Sequence, residues 1–199
     1  MRVAFTTFAV LKKPYGNPEV QEFDDRTPIV FKEAEGSPGF ISRAVEVSGS
    51  ELSNFERDWG QWGTFAVPRF YTYGRETDTD QRASTLSIWQ DVPSVLRFVF
   101  SGLHLEALKK RSEWFLKPEW PTYAMWWIAD DYIPQWQEAC NKLEKLHDEG
   151  PSPDVFDFKA CFDEHGNRVD LSAVYKSIKA KPAESHSTEA PQNVLSVSQ

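Results

Sequence analysis

The sequence predicts an α+β fold, because segments typical of strands and helices follow one another in a defined order along residues 1–165. Apolar or alternating segments typical of strands occupy residues 2–11, 40–47, 84–89 and 122–129. Helical periodicity follows the first of these segments and separates the last two. The order β-α-β-β-α-β is ferredoxin-like, and we expect its helices to cover one face of the sheet and to leave the other open.

The first strand and the helix after it have distinct signatures. Residues 2–11 carry apolar side chains at odd and even positions, which is typical of a central strand. Asn17, followed by Pro18, predicts the N-terminal cap of the first helix. Pro28 lies inside that helix and predicts a kink or a restart near Thr27.

The most informative segment is a helix predicted between residues 92 and 115. At helical spacing one stripe carries Leu96, Phe100, His104, Ala107, Leu108, Arg111 and Phe115. His104 and Arg111 lie two turns apart on this apolar stripe, about 10 Å along the helix. Polar groups on a buried stripe need partners or face a cavity, so the pair marks a candidate pocket. Gly102 predicts a break or bend in the same helix.

The remaining segments are less regular. Residues 48–83 form an aromatic loop that fits a lid over a pocket and a subunit interface equally well. A further amphipathic helix is predicted at 135–147 and an alternating strand at 155–162. We assign residues 166–178 to a C-terminal extension and residues 179–199, which are poor in apolar side chains, to a disordered tail.

Composition excludes several classes of partner. The net charge of −8 and the pI of about 5.1 argue against nucleic acid and against an anionic membrane surface. The chain has no secretory signal pattern and no apolar run near the ~18 residues of a membrane span. Cys140 and Cys161 form no CxxC pair, so we expect them to be reduced and buried in a cytoplasmic protein.

Several motifs together resemble those of one known family. They are LSIW at 86–89, FVFSGLH at 98–104, RSEWF at 111–115, MWWI at 125–128, IP at 133–134 and GPSPDVFDF at 150–158. On these motifs the chain is identified as similar to the DUF3291 family, over residues 1–160 and most strongly over residues 84–158. That family has no settled activity and is a member of the dimeric α+β barrel superfamily, which includes the antibiotic-biosynthesis monooxygenases.

The resemblance implies a shell around a cavity that holds an apolar, often polycyclic small molecule. Relatives in the superfamily oxygenate, cyclise, isomerise or degrade such molecules; some bind haem through a helix histidine, and several use no cofactor. In the family pattern a Gly-His pair follows the Trp-Trp strand, where this chain has Asp131 and Tyr132. Tyr132 could donate a hydrogen bond there but could not serve as a base near pH 7.

His104 and Arg111 are the candidate catalytic residues. For His104 the functional interpretation is a general base, a hydrogen-bond donor to a carbonyl or a haem ligand. The structural alternative is a histidine tied to Glu106, Glu113 or a backbone carbonyl. Arg111 would orient an anionic or carbonyl group of the substrate, or else form a salt bridge with a carboxylate.

The candidate substrate-binding residues are mostly aromatic. They are Trp89, Trp127, Arg43, Tyr132, Phe100 and Trp62. Trp126 and Trp127 are adjacent on a strand and must face opposite ways, so one packs in the core and the other faces a cavity or a partner. The histidines have no metal-ligand spacing, and the chain has no phosphate-binding glycine motif and no GxSxG, so we expect no metal site.

These features predict a homodimeric enzyme of small-molecule, secondary metabolism that acts on an apolar substrate. The open sheet face favours a homodimer that closes two sheets into a barrel. The resemblance favours a monooxygenase-like reaction without a cofactor. Three alternatives stay open: a cyclase or pericyclase in the same pocket, a haem-binding protein with His104 as axial ligand, and a non-catalytic small-molecule-binding protein.

Overall fold

The computed structural model describes residues 1–47, 57–71 and 81–180. It is a mixed α+β structure whose main element is a four-stranded antiparallel sheet in the order β2-β3-β1-β4. The strands of that sheet are β1 (Arg2–Val10), β2 (Phe40–Arg43), β3 (Arg82–Trp89) and β4 (Tyr123–Ile128). The described α-helices are α1 (Gln21–Glu35), α2 (Val92–Val99), α3 (Gly102–Trp114), α4 (Trp136–Glu149) and α5 (Ser172–Ala180). A two-stranded ribbon, β5 (Cys161–Phe162) with β6 (Arg168–Val169), lies near the C-terminus, and a short 3-10 helix spans Gly60–Trp62.

Strand β1 is the centre of the sheet, as its doubly apolar pattern predicts. It pairs with β3 through Val3↔Trp89 and with β4 through Val3↔Trp127. Phe5 on one face and Phe8 on the other are both buried. The alternation of side chains along β1 therefore contributes to two separate cores.

Helices cover both faces of the sheet, which corrects the expectation of an open face. On one face Val3 and Phe5 pack in a core with residues of α1, α2 and α5. On the other face Ala4 and Phe8 pack in a core with Trp136 and further residues of α4 and with aromatic residues of segment 57–71. The amphipathic pattern of α4 predicted that one face of the helix is buried, but it did not predict which face of the sheet the helix covers. Since both faces of the sheet are covered, an open face is no longer a reason to expect a homodimer.

The predicted long helix is two helices, and the break lies at Gly102 as its sequence suggests. Helix α2 is capped by Asp91, whose Oδ1 accepts a hydrogen bond from the Ser94 backbone N–H at 2.7 Å. The chain then turns, and α3 begins at Gly102 with φ +52°, a left-handed conformation that favours glycine. Helices α2 and α3 are therefore separate elements.

Other element boundaries differ from expectation. Helix α1 begins at Gln21 rather than after Asn17, whose side chain instead accepts the Glu19 backbone N–H at 3.0 Å in a turn. Pro28 lies within one helix without a restart, and the Thr27 hydroxyl donates to the Phe23 carbonyl at 2.9 Å. The predicted strand at 155–162 is reduced to β5 and isolated bridges, because tight turns interrupt it.

The C-terminal extension packs against the rest of the fold. Leu171 is buried, and Tyr175 and Ile178 of α5 pack in the same core as α2. Helix α5 ends at Ala180, so the tail predicted at 179–199 lies almost entirely outside the described residues, as do parts of the 48–83 loop. Cys140 and Cys161 are both buried, as the sequence predicted. Within the described ranges, none of the helices has the length and apolar character that a bilayer crossing requires.

Candidate active site

A cavity of about 590 Å³ lies between the sheet and helices α1 and α3. Its floor is formed by side chains of β1, β3 and β4 on the face that also carries Phe5, and its walls by α1, the end of α2 and α3. The volume lies within the ~300–1,000 Å³ typical of pockets for small organic molecules. The lining is mainly apolar and aromatic, so the cavity suits an apolar ligand.

Three hydroxyl groups cross the floor of the cavity in one row. Thr7 on β1 pairs with Tyr123 on β4 and with Thr85 on β3, and all three line the cavity. The hydroxyls of Thr7 and Thr85 are hydrogen-bonded to each other at 2.7 Å. An apolar cavity with a few converging polar groups can fix the orientation of a ligand as well as bind it.

His104 lines the cavity from the first turn of α3. Its Nδ1–H donates to the Val99 carbonyl oxygen at 3.0 Å, and its ring packs against Phe98 with centroids 4.7 Å apart. This contact fixes the Nδ1–H tautomer. In the described part of the chain no protein atom hydrogen-bonds Nε2, which therefore keeps a free lone pair.

Burial lowers the pKa of His104 below its usual range, although the Val99 carbonyl and the nearby Glu33 carboxylate act in the opposite direction. The imidazole is therefore neutral at pH 7. The structural alternative of a histidine tied to a backbone carbonyl is realised at Nδ1, but it leaves Nε2 available for chemistry. Glu106 and Glu113 do not hydrogen-bond the ring.

Glu33 of α1 holds the N-terminus of α3 and thereby positions His104. Its Oε1 accepts the Leu103 backbone N–H at 3.1 Å, and its Oε2 accepts the His104 backbone N–H at 3.2 Å. A Cβ at Gly102 would lie 1.9 Å from Glu33 Oε1, so glycine is required for this approach. The carboxylate satisfies free N–H groups and lies at the positive end of the helix dipole.

Tyr123 supplies a protonated phenol at the cavity floor. Burial raises the pKa of Tyr123 to about 12, so the hydroxyl keeps its proton throughout the neutral range. The Tyr123 oxygen accepts the Phe158 backbone N–H at 3.3 Å. In the described ranges its own O–H donates to no protein acceptor, so the proton is available to a ligand.

Arg111 lies on the exposed rim of the cavity, and Arg43 lies farther along its wall. Arg111 has no carboxylate partner among the described residues, so the salt bridge considered from sequence does not form there. Arg43, by contrast, donates to Glu35 Oε1 at 2.8 Å and stacks over the Phe31 ring at 4.2 Å. Its charge is neutralised within the protein, which weakens its candidacy as a substrate ligand.

The structure brings together five of the eight candidate site residues. His104, Arg111, Arg43, Trp89 and Phe100 all line the cavity. The other three, Trp127, Tyr132 and Trp62, lie elsewhere.

Those three residues are held by contacts that strand alternation and composition do not predict. Trp127 is on the cavity face of the sheet, but its indole N–H donates to the Phe162 carbonyl at 2.9 Å, beyond the end of the cavity. Tyr132 is 45% exposed and donates to Glu138 Oε2 at 2.9 Å. Trp62 is buried in the core on the opposite face of the sheet. Trp126 and Trp127 do face opposite cores, as predicted.

Glu33 and Tyr123 are site residues that the sequence pattern did not indicate. Glu33 lies 71 residues before His104, and nothing in its local pattern distinguishes it from the other acidic residues of α1. Tyr123 lies next to Ala124 on a predicted strand, so the two residues were expected on opposite faces of the sheet. The neighbours of Tyr123 across the sheet could not be predicted. Among the described residues, no cluster of histidine, cysteine or carboxylate side chains is arranged to hold a metal ion.

Comparison with protein families gives one match. A family model described as a domain of unknown function, DUF3291, matches residues 2–172 and so spans the sheet and all the cavity-lining helices. Comparison with curated proteins and with solved structures gives no match.

Proposed function

Because the chain belongs to the DUF3291 family, whose function is unknown, we propose a function from its own geometry: an enzyme of small-molecule metabolism. It binds an apolar substrate in the cavity between the sheet and helices α1 and α3, and His104 removes a proton from carbon. The observation that carries the proposal is a neutral histidine whose Nδ1–H is fixed on the Val99 carbonyl while Nε2 is free.

His104 has the properties of a general base. A base is most effective when it is unprotonated at the working pH and held in one orientation. The lowered pKa keeps the imidazole neutral, and the Val99 carbonyl and the capped helix turn hold the ring. The Val99 carbonyl also stabilises the imidazolium that forms when Nε2 takes the proton.

Tyr123 would stabilise the negative charge left on the substrate, and Arg111 would orient the substrate from the rim of the cavity. Removing a proton next to a carbonyl gives an enolate, whose charge rests mainly on oxygen. The protonated phenol of Tyr123 can donate a hydrogen bond to that oxygen. Trp89 and Phe98 are buried in the wall and exclude water, which strengthens these interactions.

The reaction we favour is cofactor-independent monooxygenation. An activated CH₂ group reacts with O₂ after proton removal; one oxygen atom becomes a ketone, the other leaves as water, and the substrate supplies all the electrons. The apolar, aromatic lining supports this choice because it suits polycyclic ketones with acidic CH₂ groups. A cyclase would use the same enolate to attack a second carbon of the substrate without consuming oxygen.

The strand order β2-β3-β1-β4 supports a ferredoxin-like sheet of the kind found in dimeric α+β barrels. A homodimer and a cytoplasmic location stay part of the proposal; two buried cysteines without a CxxC pair agree with the latter. Because α4 and segment 57–71 cover the second sheet face, a second copy would contact those elements rather than the bare sheet.

Oxygen uptake with anthrone, a tricyclic ketone with an acidic CH₂ group, tests the proposed reaction. We expect one O₂ consumed for each anthrone converted to anthraquinone, and a rate at least about 100-fold lower in His104→Gln. Ala107→Trp, which fills the cavity from α3, should abolish turnover while the protein stays folded. Equal rates in the wild type and His104→Gln would contradict the role of the base, and product without oxygen uptake would indicate a cyclase.

Haem binding is a second candidate, since the same His104 geometry favours it. A histidine that ligates a metal through Nε2 commonly donates its Nδ1–H to a backbone carbonyl, as His104 does to Val99. The absorption spectrum of the purified protein, before and after addition of haemin, tests this candidate. A Soret band that disappears in His104→Ala would replace the general-base mechanism, and a purely aromatic spectrum in both samples would eliminate haem.

A further inference from the structure

The charged side chains around the cavity have one sign. Among the lining residues that the structure describes, Lys12, Arg26, Arg43, Arg111 and Lys117 are basic and none is acidic. The whole chain has 30 acidic and 22 basic residues, so its average surface would place more carboxylates than cations around a cavity. A cleft lined by one sign of charge attracts ligands of the opposite sign.

Two of these cations are already neutralised by the protein. Arg26 forms ion pairs with Glu22 at 3.0 Å and Glu106 at 3.7 Å, and Arg43 pairs with Glu35 at 2.8 Å. These pairs lie on the α1 side of the cavity and account for the charge there.

The other three cations have no carboxylate partner in the described ranges. Lys12, Arg111 and Lys117 are all exposed at the cavity rim, and they form no ion pair with any described residue. We name these three residues the basic rim. Exposed lysines are ordinary on a protein surface, but three unpaired cations around one apolar cavity in an acidic chain are not.

The basic rim is concentrated at one end of the cavity by the backbone. The Lys12 N–H donates to the Trp114 carbonyl at 2.8 Å, and the Lys12 ammonium donates to the Ser112 carbonyl at 2.7 Å, next to Arg111 in the chain. The Leu116 N–H donates to the Val10 carbonyl at 2.9 Å, which brings Lys117 to the same end of β1. The end of β1 and the last turn of α3 therefore place all three residues together.

A structural role explains only some of the positive charges of the basic rim. Lys12 and Arg111 lie near the C-terminus of α3, where cations offset the helix dipole. Lys12, however, uses one of its three ammonium donors on the protein, and the guanidinium of Arg111 uses none among the described residues. Lys117 lies beyond the helix and has no described acceptor. Most of these donors are available to a ligand.

We infer that the ligand of this cavity is an amphipathic anion, whose anionic group binds the basic rim and whose apolar body lies in the cavity toward His104. This inference rests on the proposed binding of an apolar substrate in the same cavity. His104 and Arg111 lie seven residues apart on α3, so the anionic group and the reacting carbon are separated by about 10 Å. The anionic group stays near solvent at the mouth, which keeps its desolvation cost low.

Two fluorescent probes that differ by one charge test the inference. Anilinonaphthalene sulfonate is an amphipathic anion, and phenylnaphthylamine is the same ring system without the sulfonate. Both are titrated into the wild type, into Lys12→Met, Arg111→Gln and Lys117→Met, and into Lys13→Met and Lys109→Gln as controls. Lys13 neighbours Lys12 in the chain and Lys109 lies on α3 near Arg111, but neither lines the cavity.

We expect the wild type to bind the sulfonate more tightly than the neutral probe. Each basic-rim variant should weaken sulfonate binding by about threefold to tenfold and leave neutral-probe binding unchanged. The two control variants should match the wild type, and salt should weaken binding of the sulfonate alone. Ala107→Trp should abolish binding of both probes, which places them in the cavity. Thermal unfolding followed by circular dichroism confirms that each variant is folded.

Displacement of the sulfonate probe identifies the anionic group. Decanoate and decyl phosphate should each displace it at lower concentration than decanol, and the stronger of the two identifies a carboxylate or a phosphate as the preferred group. Equal affinity for the charged and neutral probes, unchanged by the three substitutions, would overturn the anionic ligand while leaving the apolar cavity intact. Failure of both probes to bind the wild type would instead contradict the binding cavity on which the proposed function depends.

Discussion

The carboxylate of Glu33 accepts the backbone N–H of His104 at 3.2 Å, which connects helix α1 to the first turn of α3. The same carboxylate accepts the Leu103 N–H through its second oxygen, so it caps the helix from another element of the fold. Because the two residues are 71 positions apart, this contact exists only in the folded chain. It fixes the start of the helix that presents His104 to the cavity.

Glu33→Ala should lower the free energy of unfolding by about 1 kcal/mol, because it leaves two helix N–H groups without their cap. Glu113→Gln removes an exposed carboxylate that has no described contact on the same helix, and it should leave stability unchanged. Urea denaturation of both variants measures the difference. Equal stability of the two variants would show that the cap contributes nothing.

Gly102→Ala should destabilise the protein by about 1–3 kcal/mol from its positive φ alone, and further because the new Cβ would meet Glu33. Gly16→Ala is the control, since Gly16 has φ +83° in the turn closed by the Asn17 N–H and the Pro14 carbonyl but has open space around its Cβ position. The excess cost of Gly102→Ala over Gly16→Ala reports the contact with Glu33. That excess should shrink when Gly102→Ala is made in the Glu33→Ala background, and an unchanged excess would contradict the contact.

Acidification should destabilise the protein through His104. Its pKa is lowered in the folded state, so between that value and the unfolded pKa of about 6.5 the unfolded chain binds more protons. The stabilisation is fully present above about pH 6.5 and is lost as pH falls below it, with a slope of at most about 1.4 kcal/mol per pH unit for one proton.

Unfolding free energies measured from pH 7.5 to 5 in wild type and His104→Gln test this dependence. The slope should be smaller in His104→Gln than in the wild type. Parallel curves for the two proteins would contradict the lowered pKa of His104.

Tyr123→Phe should lower turnover of the substrate while the aromatic ring at this position of the cavity lining is kept. The phenylalanine ring keeps the packing against Phe158, whose centroid lies 5.2 Å away, but the donor to the enolate oxygen is lost. Tyr175→Phe is the control, since Tyr175 packs on Phe100 outside the cavity lining.

In the wild type, a phenolate transition that Tyr123→Phe removes should occur at about pH 12. A transition near 10 would mean that Tyr123 is solvated.

Short-range pattern was sufficient for the four strands of the sheet, for helices α1 and α4, and for the two polar residues that α3 presents to the cavity. The helical spacing of His104 and Arg111 placed both on the cavity, and Gly102 marked the break between α2 and α3. The spacing did not reveal that Arg111 has no carboxylate partner among the residues that the structure describes, because that depends on which elements pack beside α3.

Contacts between distant segments could not be predicted. Helix α4 has a clear apolar stripe, yet the stripe fits either face of a sheet, and the face it covers was expected to be open. Trp127 was assigned to the face that carries the cavity, but its indole N–H is held by the Phe162 carbonyl of the β5–β6 ribbon, a contact that the local pattern does not show. The capping role of Glu33 could not be predicted either, because its carboxylate contacts the start of α3, 70 residues later in the chain.

The most direct test of the central claim is a nitrogen-15 NMR titration of the histidine side chains in wild type and His104→Gln. The resonances absent from the variant belong to His104. We predict that they show the Nδ1–H tautomer, a neutral ring at pH 7 and a pKa below the usual value of about 6.5, with Nε2 shifting when a cavity ligand is added. An Nε2–H tautomer, or a pKa at or above 6.5, would contradict His104 as the neutral base of this site.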